Sequence, residues 1–112
     1  MIDPEQVRRI ALALEGTVDE SKPDRLAFVK AGQKSGYAWT WLERVHPKKP
    51  RVPRLTVLAV RCPIGRKDIL LEAAADLYFD DDHYRGYPAI LVRLDVIPED
   101  ELVALLKDAW RL

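Results

Sequence analysis

Cysteine is nearly absent: Cys62 stands alone among 112 residues, which excludes an internal disulfide and any multi-cysteine zinc site. The chain also lacks a Walker loop, a glycine-rich dinucleotide motif, an HExxH pair and a Ser-centred nucleophile elbow. With no recognisable reaction centre, a non-enzymatic protein without cofactors is expected. No apolar run approaches the roughly 20 residues that span a bilayer, and Met1 to Glu5 lacks a basic region followed by a hydrophobic one. The expected location is the cytoplasm, with no membrane partner. Net charge is missing too, because 18 basic and 18 acidic residues cancel, so the chain as a whole is no electrostatic magnet for nucleic acid.

What is present is enough to fold. Hydrophobic residues make up 48% and charged ones 32%, the balance of a soluble domain, and the length suits one domain over residues 1–112. The charge is unevenly placed. From Arg44 to Lys67 there are eight basic residues and no Asp or Glu, whereas residues 68–112 hold four basic and eleven acidic ones. Whether that stretch becomes a patch depends on how folding interleaves it with carboxylates.

Asp3-Pro4-Glu5-Gln6 predicts a helix start, since Asp3 and Gln6 can cap each other and Pro4 suits the first helical position. Val7, Ile10, Ala11 and Leu14 share one face, and Gly16 is expected to close the helix. Val18, Leu26, Phe28 and the run Tyr37 to Trp41 then favour strands, with a hairpin joined through Ala31 to Gly36. Alternation places Tyr37, Trp39 and Trp41 on one face, as a binding platform or as core.

Three prolines between Val45 and Arg54 predict an extended loop. A strand over Leu55 to Cys62, a helix over Lys67 to Ala75 and a short strand at Leu77 to Phe79 follow. Asp80 to Pro88 reads as a turn, Ala89 to Leu94 as a buried strand and Pro98 to Arg111 as a helix. The expected class is α/β (α+β): an antiparallel sheet with helices on one face, in the order α-β-β-β(-β)-α-β-β-α.

Three groups of residues carry candidate chemistry. Lys48, Lys49, Arg51 and Arg54 can contact phosphates, each releasing a condensed counterion. The turn containing His83, Tyr84, Arg85 and Tyr87 can supply donors and stacking rings, or cover the sheet. Asp80, Asp81, Asp82 and His83 are a concentrated set of hard-cation ligands, but their spacing matches no known metal loop. Cys62 ends a hydrophobic strand and reads as a small buried residue rather than a nucleophile.

Several stretches together resemble the MmcQ/YjbR-like proteins: Val7 to Gly16, Pro50-Arg51-Val52-Pro53 leading to Val57 to Arg61, Asp82 to Leu94, and Ala109-Trp110-Arg111. The most specific is His83-Tyr84-Arg85-Gly86-Tyr87-Pro88, followed at once by an apolar strand. The resemblance implies a CyaY-like (frataxin-like) two-layer fold with a double-wing arrangement and DNA as partner; it carries no reaction and no catalytic residues. Where such proteins often have a His-Gly or His-Trp-Gly segment, this chain has Ser21 to Phe28, so no role attached to that histidine transfers.

The leading expectation is therefore a binding module for DNA through Lys48, Lys49, Arg51 and Arg54, with His83 and Arg85 as a second contact. The alternative is a protein-interaction or small-ligand module using Trp39, Trp41, His83, Tyr84 and Tyr87. Weak metal binding at Asp80 to His83 is the third.

Overall fold

The reciprocal cap forms. In the computed structural model, which describes residues 1–112, the Gln6 amide donates to Asp3 Oδ1 at 2.8 Å and the Asp3 amide donates to Gln6 Oε1 at 2.9 Å. Helix α1 (Pro4–Leu12) starts there. It ends short of Gly16, because the Leu14 and Thr17 amides reach back only three residues, to Ala11 and Leu14. Gly16, at φ 75°, instead turns the chain into the first strand.

Six strands follow: β1 (Thr17–Asp19), β2 (Ala27–Lys30), β3 (Gly36–Glu43), β4 (Val52–Arg61), β5 (Tyr78–Phe79) and β6 (Ala89–Arg93). They form one antiparallel sheet in the order β1-β2-β3-β4-β6-β5. Helix α2 (Ile64–Ala73) lies between β4 and β5 in sequence, and α3 (Glu99–Arg111) closes the chain. The expected element order holds, with four strands before α2.

Period-two alternation sorts the central strands. Leu58 and Val60 of β4 and Ile90 and Val92 of β6 face the helices, where they meet Val7 and Ala11 of α1 and Leu102, Leu106 and Ala109 of α3. Each large apolar side chain buried there contributes about 2 kcal/mol of transfer free energy. Cys62 belongs to this core, and burial pushes its thiol pKa up. Ala59, Ala89 and Leu91 point the opposite way, yet are equally covered. No helix lies on that face. It is closed by the Asp80–Pro88 loop, whose Tyr84 packs over the three of them.

Two irregularities correct the sequence reading. Phe28 pairs with Ala38 but Val29 pairs with Gly36, so Tyr37 is an extra residue in β3 and turns toward the helices. Its hydroxyl meets Thr17 Oγ1 at 2.8 Å and donates to the Ala11 carbonyl at 3.4 Å. Tyr37 thus does not share a face with Trp39 and Trp41. Further along, Thr40 pairs with Leu58 but Trp41 pairs with Arg54, so Leu55, Thr56 and Val57 are left over on β4.

Strand β4 begins at Val52, inside the segment expected to be loop. Pro53 is tolerated because β6 pairs with β4 only from Val57 onward, so this end of β4 has a free edge and loses no ladder bond. The half of the β3–β4 hairpin running from Trp41 to Arg54 consequently extends beyond the sheet as a two-stranded arm. Helix α2 also begins earlier than expected, at Ile64, with Pro63 at its N-cap. No helix is long and apolar enough to cross a membrane.

Candidate functional site

The open face of the sheet carries a cleft of about 580 Å³ between the base of the arm and the Asp80–Pro88 loop. Trp41, Glu43, Arg44 and Arg51 line it from the arm, Phe79 from β5, and Asp81, Asp82 and His83 from the loop. Its volume falls within the range of small-molecule sites. Trp41 meets Phe79 edge to face at 5.2 Å, and the Arg93 guanidinium lies over the Phe79 ring at 4.3 Å. The rings in the cleft are thereby fixed in orientation.

The loop is positioned from three directions. Trp41 Nε1 donates to Asp81 Oδ2 at 2.9 Å, Trp39 Nε1 donates to the Tyr84 hydroxyl at 2.8 Å, and the Tyr84 amide donates to Asp81 Oδ1 at 2.8 Å. From behind, Lys67 of α2, only 2% exposed, places its ammonium on Asp80 Oδ1 (3.1 Å) and on the Tyr84 (2.7 Å) and Tyr87 (3.0 Å) carbonyls. Gly86, at φ 75°, supplies the reversal before Pro88.

These bonds decide which predicted residues remain free. Tyr84 is buried, burial raises its phenol pKa, and its ring has His83 and Tyr87 edge-on at 5.1 and 5.8 Å, so it is wall rather than stacking surface. Trp39 is likewise half-buried against the loop, whereas Tyr87 and His83 are exposed. The three aspartates diverge: Asp80 to Lys67, Asp81 to Trp41 and the Tyr84 amide, Asp82 to Arg85. No three His, Cys, Asp or Glu side chains gather around a point where an ion could sit, so the metal option loses its geometry.

The basic stretch is divided. Lys67 is buried, Arg66 faces Asp108 at 3.8 Å, and Arg61 lies at the far end of β4, away from the arm. At the arm, Arg54 is held by Glu43 at 2.7 Å. Arg44 and Arg51 donate only to the main-chain carbonyls of Pro47 (3.1 Å) and Leu42 (3.5 Å), and Lys48 and Lys49 are exposed without a carboxylate partner. The eight basic residues of the stretch from Arg44 to Lys67 thus give four uncompensated cations around one hairpin end, Arg44, Lys48, Lys49 and Arg51, two of them lining the cleft. Sequence reasoning missed Arg44 and Phe79 as site residues. Their signal was weak, since neither lies within a motif, and only strand pairing brings them together.

No family model matches the chain. Uncharacterised proteins of Mycobacterium tuberculosis (Rv2570) and Mycobacterium bovis (Mb2600) are 41% identical to it over 46 residues, 41% of this chain and 36% of theirs. The match therefore spans about a third of the length of these relatives. Among solved structures, Deinococcus radiodurans protein DR2400, with a DUF419 domain, superposes with a TM-score of 0.71 at 19% identity, over 98% of this chain and 77% of that one. The chain shares the α+β fold of that domain.

Proposed function

We propose that this protein is a non-enzymatic binding module whose partner is nucleic acid, held by the arm formed from β3 and β4. The observation that carries the reading is the survival of Arg44, Lys48, Lys49 and Arg51 as cations without carboxylate partners at one end of one hairpin. Such a group neutralises several phosphates, and the released counterions provide affinity that falls with salt. The sequence resemblance to MmcQ/YjbR-like proteins, with their double-wing arrangement, points the same way. Arg54 supports the arm through Glu43, while His83, at the cleft rim, adds a donor from the opposite side. Arg85, paired with Asp82 on the surface at 2.9 Å, is a weaker candidate for the second contact.

Fluorescence anisotropy with labelled DNA, across a series of salt concentrations, tests the reading. The double variant K48E/K49E should lose most of the affinity, and the salt slope should flatten by about two phosphate contacts. Affinity and slope unchanged from the parent protein would refute it. A second reading, a small-ligand module, is favoured by the cleft beside His83, which offers two rings and two uncompensated guanidinium groups.

A further inference from the structure

The arm and the cleft adjoin, and their chemistries differ. The arm is charged and exposed, suited to a phosphate backbone of any kind. The cleft is concave, lined by Trp41 and Phe79, with Arg44 and Arg51 shared between it and the arm. In a duplex the bases are paired and stacked on one another, so none is available to enter such a cleft. An unpaired nucleotide presents its ring freely and its phosphates on either side.

All of the polar lining but Asp82, an exposed carboxylate at the rim, fits that distinction. Asp81 uses both oxygens within the protein, on the Trp41 indole and the Tyr84 amide, and Glu43 is engaged by Arg54. The Trp41 N–H is consumed by the same Asp81 bond, which leaves the indole in the cleft as a ring rather than as a donor. The arginines keep most of their N–H groups free, because each meets only one main-chain carbonyl. An aromatic wall beside uncompensated guanidinium groups, continuous with a basic track, is the composition of a single-strand site: stacking holds the base without regard to sequence, and the cations follow the backbone.

We infer that the cleft between the β3–β4 arm and the Asp80–Pro88 loop receives an unpaired base, so that the nucleic acid bound is single-stranded. This inference rests on the nucleic-acid reading above and adds the class of nucleic acid and the place of the base. Lys48 and Lys49 then contact phosphates flanking the inserted nucleotide, and the Trp41 side chain is the stacking partner.

Titration of the unmodified protein with a labelled oligothymidylate and with a labelled duplex of equal length tests it. Single strand is expected to bind at least tenfold more tightly, about the contribution of one stacked base. Intrinsic tryptophan fluorescence should be quenched on binding. W41L should bring single-strand affinity down toward the duplex level, narrowing the ratio between the two forms. Because Trp41 also packs on Phe79, photocrosslinking of iododeoxyuridine-substituted single strand to the parent protein supplies an independent measurement, with adducts expected on Trp41, Phe79 or His83. Equal affinity for both forms, or adducts mapping only outside the cleft, overturns the single-strand assignment while the nucleic-acid reading stands. Binding of neither form overturns both.

Discussion

Lys67 and Tyr84 are joined by a hydrogen bond of 2.7 Å from ammonium to main-chain carbonyl, and it ties a helix on one side of the sheet's edge to the loop that closes the other side. The Tyr87 carbonyl and Asp80 complete the shell of this buried cation, so all three of its protons have acceptors. A lysine that the sequence places in the basic stretch from Arg44 to Lys67 is a structural tie. K67M should therefore cost about 3 kcal/mol, since it strands two carbonyls and a carboxylate. Urea denaturation checks this, and a loss below about 0.5 kcal/mol, as for an ordinary surface change, would contradict it. Affinity for DNA measured on the folded fraction should fall less than for K48E/K49E.

Asp82 is 94% exposed on its side chain and stands at the cleft rim, where its pair with Arg85 is too solvated to cancel its charge. It repels an incoming phosphate. D82N is expected to tighten nucleic-acid binding by about two- to fivefold at low salt, with the difference shrinking as salt rises. Isothermal titration at two ionic strengths measures both; weaker binding in D82N would place the ligand elsewhere.

Tyr78 is buried beneath α3, and burial first, then its 2.5 Å hydrogen bond to Glu101, raises its phenol pKa above the ordinary 10.0. The sign follows from linkage. The unfolded chain loses this proton at lower pH than the folded one, so the stabilisation is complete below about pH 10 and is lost as pH climbs toward the folded value. Thermal melts from pH 8 to 11 should show a falling alkaline arm that flattens in Y78F. An alkaline arm equally steep in Y78F would assign the loss to Tyr37 or Tyr84, which are also raised by burial.

Two glycines make opposite predictions although a Cβ meets nothing within 4 Å at either. Gly86 has φ 75°, a left-handed conformation, so G86A should destabilise by about 1 kcal/mol through backbone strain alone. Gly65 lies inside α2, where G65A should stabilise by about 0.5–1 kcal/mol through helix propensity. Differential scanning calorimetry of the two variants, moving in opposite directions, checks the assignment.

Much of the fold was legible in local sequence. The Asp3–Gln6 cap, the apolar stripe of α3, the strand Ala89 to Arg93 and the turn before it all follow from neighbouring residues, because capping, helical period and turn chemistry act over a few positions. Boundaries set by pairing were not legible: β4 starts at Val52 because β3 offers it a partner, overriding the prolines beside it.

Residue types and their order thus settled the α+β class, the one-sided helical layer and the existence of a basic, proline-bearing segment; that it forms a hairpin came from strand pairing. Tertiary structure alone decided which cations stay free, since Lys67, Arg54 and Arg66 meet carboxylates 13, 11 and 42 positions away along the chain. It also decided which aromatic rings share a face, because one additional residue in β3 sends Tyr37 inward and leaves Trp41 beside Phe79. Charge pairing and sheet register are fixed by distances in space, and a linear pattern of residues does not contain those distances.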